Sequence, residues 1–294
     1  MTCSPPPGFD PAALFAHAIP TVRARYTARD TILYALSLGA GAEPLSAEAL
    51  RHCLEDRLQA LPTQALVLAT PGFWLRESPA GVDWRRVLHG EQRLTLDRPL
   101  PPEGAVVGQS RITALIDRGE TGAILHVERR LETDAGEVLA TAAQSAVLRG
   151  HGGFGRDFGT PPPPLSPVPD TAPAHRITLP TRPDAALLYR LNGDWNPLHA
   201  DPEIARRAGF ERPILHGLAS FGIAARGLIA ALCPDAPARL RGIEARFAAP
   251  VFPGDALTVE IWEEGPGIAR FRVQVEGRGT VLSHGSARIA AASD

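Results

Sequence analysis

The stretch LHGLASFGIAARGLIAAL, from Leu215 to Leu232, decides the fold of this chain. Its apolar residues recur every three or four positions, the spacing that gathers side chains on one face of an α-helix; they are Leu218, Phe221, Ala225, Leu228, Ile229 and Leu232. Gly217, Gly222 and Gly227 would weaken an isolated helix, but glycine also lets a neighbouring backbone approach closely. The pattern therefore predicts a helix over about 215–232 that a sheet wraps at short range.

The residues after this helix alternate between apolar and polar side chains. Two such runs, around Val259 and Val273, are separated by Gly265-Pro266-Gly267. Period two with a glycine and proline turn between the runs is typical of an antiparallel hairpin. In front of the helix, Asp201-Pro202 predicts the N-cap and first position of a short helix that ends near Ala208.

The first half of the chain repeats this order of patterns weakly. Alternating runs around Ile112, Val127 and 138–148 correspond to the later strands, so an internal duplication is the simplest interpretation. The segment between the halves is rich in glycine and then in proline, a composition typical of a linker. We therefore predict a first repeat over residues 1–150, a linker over 151–183 and a second repeat over 184–294.

Composition limits the functions that this chain can have. The 294 residues are 44% hydrophobic and 21% charged, which is typical of a soluble globular protein. The formal net charge of −2 argues against a nucleic-acid partner. All 30 basic residues are arginine, since the sequence contains no lysine, and this excludes a catalytic lysine Schiff base.

The cysteines and the N-terminus bear on the cellular compartment. Cys3, Cys53 and Cys233 are odd in number and widely separated, which favours reduced thiols over a disulfide framework or a zinc site. The N-terminus has no basic region followed by an apolar run, and polar residues interrupt the longest apolar stretch. We therefore expect a cytoplasmic protein without a membrane span.

The segment GDWNPLH at 193–199 brings an acid, an amide and an imidazole together between turn-forming residues. Proline disfavours the helical conformation in the residue before it, so Asp194 and His199 need a bent backbone to face one point. We interpret these two residues as a proton-transfer pair. The alternative is a turn in which Asp194 and Asn196 cap a helix and the imidazole is an ordinary polar residue.

A metal site is a further alternative for this region. Asp194, His199, Asp201 and His216 could supply ligands, but their spacing matches no common zinc pattern, and we predict no metal. His216 fits better as a buried supporting histidine than as a second catalyst.

Gly217 stands at the predicted start of the long helix, where its amide hydrogen has no partner within that helix. The positive end of the helix dipole also lies there, so this amide could stabilise a developing negative oxygen. The alternative is that Gly217 serves only close packing. In the first half, Pro62–Leu66 takes the place of 213–217, and Ala35 stands five residues after Asp30, where the second half has His199. The first copy lacks the imidazole and is expected to be structural or substrate-holding.

Two widespread enzyme signatures are missing from the sequence. Ser220 and Ser283 lie in no Gly-x-Ser-x-Gly motif, which disfavours a serine nucleophile. The glycines at 152–155 lead into prolines rather than into a helix, which excludes a nucleotide-binding loop.

The segment at 193–199 belongs to a larger set of matching motifs. Together with AGF at 208–210, PILHGL at 213–218 and ARF at 245–247, it resembles the MaoC-type (R)-specific enoyl-CoA hydratase family, and more closely the hydratase 2 domain of peroxisomal multifunctional enzyme type 2. The resemblance extends into the first half through ILYAL at 32–36. It implies an α+β double hotdog fold, with two long central helices that are each wrapped by an antiparallel β-sheet. It also implies that the second repeat is catalytic, while the first is degenerate and accommodates the acyl chain.

The resemblance further implies roles for single residues. Asp194, His199, Asn196 and the main-chain amide of Gly217 would be catalytic, and Gly193 and Arg246 would contact the substrate. For Arg246, a strand arginine paired with a carboxylate is an equal alternative.

The expected reaction is the reversible syn addition of water to a trans-2-enoyl-CoA, which gives the (3R)-3-hydroxyacyl-CoA. It needs an acyl-CoA substrate and no cofactor, and the family suggests a homodimer. The alternatives are a hotdog acyl-CoA thioesterase, a silent acyl-binding module, and a dehydratase acting on a carrier-protein-bound or branched acyl group.

Overall fold

One antiparallel β-sheet runs through both halves of the computed structural model, which describes residues 6–291. Cys3 lies outside the described residues, as does the start of the N-terminal segment in which the sequence shows no export signal. The strands are β1 Val22–Tyr26, β2 Val87–Leu96, β3 Gly104–Asp117, β4 Ala123–Thr133, β5 Val138–Leu148, β6 Phe158–Gly159, β7 His175–Pro180, β8 Leu240–Phe247, β9 Ala256–Gly265, β10 Ile268–Val275 and β11 Gly279–Ile289.

The order of the strands shows the internal duplication directly. The sheet runs β1-β3-β4-β5-β2 and then β8-β11-β10-β9-β7, so corresponding strands occur in mirrored order about the β2–β8 pair. The two-residue strand β6 pairs with β3 at the side of this path. We call the unit of β1–β5 the first half and the unit of β7–β11 the second half. The hairpin expected around 265–267 is β9–β10, which pairs Val259 with Val273.

The helices are short, with one exception. They are α1 Pro11–Phe15, α2 Ala28–Ser37, α3 Ala47–Leu50, α4 Trp74–Glu77, α5 Ala185–Tyr189, α6 Pro202–Arg207 and α7 Gly217–Leu232. The 16-residue α7 is the helix that the sequence predicts over 215–232, and it begins at Gly217 because His216 is still extended at its N-cap. The short helix after Asp201 is also confirmed, with the Asp201 side chain at its N-cap.

Glycines on α7 allow the close packing that the sequence pattern predicts. A Cβ atom at Gly222 would come within 2.6 Å of Leu38 on the loop after α2, and one at Gly227 would come within 2.7 Å of Val259 on β9. Contacts this short would force the Leu38 or Val259 side chain to move, so glycine at each position permits the close packing that is present. Helix α7 therefore touches both its own sheet and the first half.

The double hotdog fold with its antiparallel sheets is confirmed, and the two halves differ in the length of the helix that packs against the sheet. The place of α7 is taken there by a 3-10 turn, Pro62–Leu66. The sequence leaves no room for a longer helix, because Pro71-Gly72 follows within a few residues and Ala69 adopts a positive φ of 47°.

In the first half, the buried side chain of Arg129 pairs with main-chain carbonyl groups in and just after the 3-10 turn. Its guanidinium donates hydrogen bonds to the main-chain oxygens of Ala65 and Leu66, at 2.8 and 3.0 Å, and to that of Leu68. Burial lowers the pKa of Arg129 to about 10, and the group remains a cation at neutral pH. A charge on β4 thus satisfies the carbonyls that a longer helix would pair internally.

The segment expected to be a linker contributes to the sheet. Strand β7 lies within 151–183 and pairs with β9 from His175 to Pro180, at the outer edge of the second half. An edge strand tolerates a terminal proline because one side of it has no partner. The amides of Gly153 and Gly155 donate to the carboxylate of Asp117, at 2.7 and 2.6 Å, which fixes the glycine-rich part to β3.

A search of the described helices for a membrane span gave a negative result. Within residues 6–291 no helix is both long enough and apolar enough to cross a bilayer.

Candidate active site

The segment 193–199 folds as two tight turns joined by a left-handed glycine. A 3-10 turn, Arg190–Asn192, ends at Gly193, which has a φ of 107°, a value that few residues other than glycine adopt. A second 3-10 turn covers Pro197–His199, with Asn196 at its N-cap. This is the bent backbone that the sequence predicts, and it turns Asp194 and His199 toward each other.

Asn196 stabilises the turn through both its main chain and its side chain. Its amide nitrogen donates to Oδ1 of Asp194 at 3.2 Å, and its side-chain oxygen accepts from the amide of Leu198 at 3.1 Å. The carboxylate of Asp194 is therefore oriented by a fixed main-chain donor. The other carboxylate oxygen, Oδ2, takes no part in that hydrogen bond.

His199 is a buried imidazole whose tautomer is set by the main chain. Its Nδ1 lies 2.9 Å from the carbonyl oxygen of Ile214, which can only accept, so Nδ1 carries the proton and Nε2 the lone pair. Burial lowers the pKa of His199, although the bond to Ile214 and the charge of Asp194 oppose that shift. The ring is 8% exposed. His199 is thus a neutral base near pH 7.

His216 completes a close cluster with this pair. One side-chain oxygen or nitrogen from each of Asp194, His199 and His216 lies within 4.8 Å of the other two. The ring of His216 stacks on that of His199, with centroids 3.8 Å apart and planes inclined by 29°. Its Nε2 donates to the main-chain oxygen of Asp194 at 3.2 Å. Burial, followed by the neighbouring His199, lowers the pKa of His216 to about 3.

Three of the four residues considered for a metal site therefore meet, and the fourth does not. Asp201 caps α6 by accepting from the amides of Glu203 and Ile204, at 2.8 and 3.3 Å. Each imidazole of the cluster uses one nitrogen on a main-chain carbonyl. The remaining lone pairs lie in the planes of two stacked rings, a poor arrangement for sharing one ion.

Gly217 is the first residue of α7, directly after His216. In an α-helix of this length the first amides have no intrahelical partner and the dipole is positive, as the oxyanion role requires. A Cβ at Gly217 would lie 3.0 Å from the ring of Phe247, so the packing role that we left open also applies. The two roles are compatible, because the amide hydrogen and the Cα hydrogens point in different directions.

The two expected substrate contacts lie in different places. Gly193 is exposed, directly before Asp194 in the turn. Arg246 lies on β8, where it forms an ion pair with Glu91 of the first half at 2.8 Å. Its neighbour Ala245 is buried in the core, so Arg246 points to the opposite face of the sheet. This is the strand arginine paired with a carboxylate that we considered as the alternative, and a substrate contact by Arg246 stays a prediction.

The sequence analysis missed two tyrosines beside the cluster. Tyr189 packs against His216 with ring centroids 4.9 Å apart, and Tyr34 of α2 packs against Tyr189 at 6.1 Å. Both rings are at most 1% exposed. Tyr189 is the last residue of α5, four residues before Gly193, and Tyr34 lies in the motif ILYAL at 32–36, but neither position indicates by itself that the two rings meet.

The first-half counterparts of the acid and the imidazole have structural roles. Asp30 accepts hydrogen bonds from the amide and the hydroxyl of Thr27, both at 2.8 Å, in a capping box at the start of α2. Ala35 is buried in the core at 1% exposure. No acid–imidazole pair can form at these two positions.

Comparison with known proteins places this geometry in a family. The profile of the MaoC-like domain matches residues 165–285, and that of the MFE-2 hydratase 2 N-terminal domain matches residues 25–150. Enoyl-CoA hydratase ChsH3 of Mycobacterium tuberculosis is 40% identical over 253 residues, which are 84% of this chain and 87% of that protein. 3-Hydroxyacyl-thioester dehydratase Y of the same organism is 41% identical over 256 residues, 86% of this chain and 87% of that protein.

A solved structure gives the same result for the fold. The crystal structure of a MaoC-like dehydratase from Phytophthora capsici is similar with a TM-score of 0.85 and 30% identity, over 97% of this chain and 100% of that one. Because these similarities cover both halves, this chain belongs to the MaoC-like hydratase family, with a hydratase 2 N-terminal domain in its first half.

Proposed function

We propose that this protein is an (R)-specific 2-enoyl-CoA hydratase, which adds water reversibly to a trans-2-enoyl-CoA and gives the (3R)-3-hydroxyacyl-CoA. The observation that carries the proposal is the meeting of Asp194 and His199 within 4.8 Å, next to the N-terminus of α7. The relatives named as an enoyl-CoA hydratase and as a 3-hydroxyacyl-thioester dehydratase support it, since these names describe the two directions of one reaction.

The proton transfers follow from the protonation states of the pair. A water molecule held between Oδ2 of Asp194 and Nε2 of His199 loses a proton to this pair, and its oxygen bonds to the β-carbon. The electrons of the carbon–carbon double bond move toward the thioester oxygen. The pair then returns a proton to the α-carbon from the same side, which restores the thioester carbonyl and regenerates the pair. Positioned acid–base catalysis of this kind contributes about 10²–10⁴ in rate.

The developing negative charge on the thioester oxygen needs a donor. The amide of Gly217 is suited to it, because it begins a 16-residue helix and adds the positive end of the helix dipole. The thioester itself accepts the electrons, so the proposal includes no cofactor and no metal. We further propose an acyl-CoA substrate whose chain the first half accommodates, a homodimeric assembly and a cytoplasmic location.

The test is an assay with trans-2-enoyl-CoAs of graded chain length. Hydration removes the absorbance of the conjugated thioester, and chiral analysis of the product should give the (3R) alcohol. Asp194→Asn and His199→Gln should abolish hydration while circular dichroism shows a retained fold. Release of free CoA thiol instead would identify a thioesterase. Binding of acyl-CoA without turnover would identify a silent binding module, and either outcome would overturn the proposal.

A further inference from the structure

We infer that His216 is a positioning residue for the acid–base pair, which holds the main chain of Asp194 and the ring of His199 in their working arrangement. This inference rests on the proposed function. It concerns a residue that does not need to touch the substrate, and it assigns to the first half a part in holding the catalytic histidine.

The first support is the hydrogen bond between His216 and Asp194. Nε2 of His216 donates to the main-chain oxygen of Asp194 across 22 residues of sequence, at 3.2 Å. Gly193 on one side of Asp194 is in the left-handed region, and Asn196 on the other side caps a turn. A tight turn between two such residues has few main-chain hydrogen bonds of its own, so this bond fixes the direction of the carboxylate.

The second support is a row of four contacting rings that ends on the imidazole of His199, which we call the ring stack; only His199 and His216 are stacked in the strict sense, and the other two contacts are tilted by 45° and 55°. The centroid distances are 3.8 Å from His199 to His216, 4.9 Å from His216 to Tyr189 and 6.1 Å from Tyr189 to Tyr34. Tyr34 belongs to α2 of the first half, and its hydroxyl lies close to Gly222 of α7. Rings at these distances are in packing contact, so His199 cannot tilt toward its neighbour without displacing the stack.

The third support is the protonation state of His216. The groups that face it are Asp194, His199, Arg190 and Tyr189; burial is the main cause of its lowered pKa, and His199 and the cation of Arg190 lower it further. When His199 takes a proton from water it becomes a cation 3.8 Å from the ring of His216, measured between centroids. A charged His216 would repel that cation, whereas a neutral one stacks on it without cost.

The fourth support is an unpaired polar atom. Nδ1 of His216 is buried and has no hydrogen-bond partner among residues 6–291, and the same holds for the hydroxyl of Tyr189. A buried polar atom left unpaired costs about 1–3 kcal/mol. An apolar ring at position 216 would avoid this cost, so the benefit of the imidazole must come from its other nitrogen, the one that holds Asp194.

Two substitutions separate the two contacts of His216. His216→Phe keeps a ring for stacking and removes the donor to Asp194. We expect kcat to fall about 10–100-fold, as for other small displacements of catalytic groups, with KM within about twofold and the acid limb of the kcat/KM pH profile unmoved. His216→Gln keeps a donor and removes the ring. We expect its acid limb to move to higher pH, because water then reaches His199 and its pKa rises toward the usual value.

A matched control is available in the first half. His52 is also buried, at 5% exposure, and bonds a main-chain oxygen, that of Gln59 at 2.6 Å, but it has no place in the stack. His52→Gln should leave kcat and the pH profile as in the unsubstituted protein. Thermal unfolding of all three variants reports whether a loss of activity merely follows a loss of folded protein.

The inference fails if both variants at position 216 keep the kcat and the pH profile of the unsubstituted enzyme, or if their activity falls only in proportion to the folded fraction. A measurement that needs no turnover tests the inference even if the variants do not fold, or if the protein catalyses a different reaction. Nitrogen NMR of the unsubstituted protein should show His216 neutral and protonated at Nε2 from pH 5 to 8. A proton at Nδ1, or titration near pH 6.5, would overturn the inference even if hydration is observed.

Discussion

The two halves of this molecule have the same strand order but different contents in the groove of the sheet. The second half fills it with α7, whose N-terminus adjoins Asp194 and His199. The first half fills it with a five-residue 3-10 turn and a buried arginine, and its acid Asp30 caps α2. The comparison teaches that the sheet is stable with either filling, while the second half brings an acid and an imidazole together beside the N-terminus of a long helix.

The first half also packs against the elements around Asp194 and His199. Leu38 packs against Gly222, and Tyr34 ends the row of rings that reaches His199. Our proposal assigns the chemistry to the second half and a supporting role to the first. The predictions below test this division of roles.

The largest effect is expected from exchanging the acid in each half. Asp194→Asn should lower kcat by about 10²–10⁴ or more, because a neutral amide cannot orient and polarise the water beside His199 as the carboxylate does. Asp30→Asn should leave kcat unchanged and reduce the free energy of unfolding by about 1 kcal/mol or less, since the amide oxygen of asparagine can still accept hydrogen bonds from Thr27 at the N-cap. Steady-state hydration and urea unfolding of both variants check this. A large loss of kcat in Asp30→Asn would show that the halves share the chemistry.

The next effect concerns the start of α7. Gly217→Pro removes the amide hydrogen at the first helical position, where proline is tolerated, and His216 already has the extended conformation that proline requires of the residue before it. The kcat should fall about 10²–10³-fold while the helix content is retained. Gly217→Ala keeps the amide and meets the same Phe247 ring, so its loss of activity measures the crowding alone. Equal losses in the two variants would contradict the oxyanion role.

A smaller effect is expected from the filling of the first half. Arg129→Met keeps a long side chain but leaves the carbonyls of Ala65, Leu66 and Leu68 without their donor. The free energy of unfolding should fall by about 1–3 kcal/mol. Arg130→Met is the control, because that side chain is 53% exposed and pairs with Glu132 at the surface, where such pairs contribute less than about 1 kcal/mol. If urea unfolding shows the same loss of unfolding free energy in both variants, the stabilising role of Arg129 is refuted.

The smallest effect is the pH dependence of stability near neutral pH. Burial lowers the pKa of His216 in the second half to about 3 and that of His89 in the first half to about 4. The unfolded chain binds protons at these residues below pH 6.5 while the folded chain does not, so stability falls as the pH drops below 6.5. From pH 7 to pH 6 the loss is about 0.5–1 kcal/mol per histidine. His89→Gln and His216→Gln should each flatten the curve, and an unchanged slope in either would show that its histidine is already charged when folded.

The parts of the site that the sequence predicted are those made by neighbouring residues. The left-handed glycine, the proline-initiated turn and the cap at Asp201 are local, because each depends on the backbone of a few residues. The periodicity over 215–232 gave the central helix of the second half. The carboxylate that pairs with Arg246 could not be identified from the sequence, since Glu91 lies 155 residues away and only strand pairing brings the two together.

By itself, the sequence determined the turn that carries Asp194 and His199, the long helix of the second half and the duplicated strands, because these follow from short-range backbone preferences and side-chain periodicity. Only the tertiary structure decided that His216 stacks on His199, that Tyr34 reaches the site from the first half and that the first half replaces its helix by Arg129. These three contacts join residues that are far apart in sequence. Which such contacts form depends on how the whole sheet packs around α7.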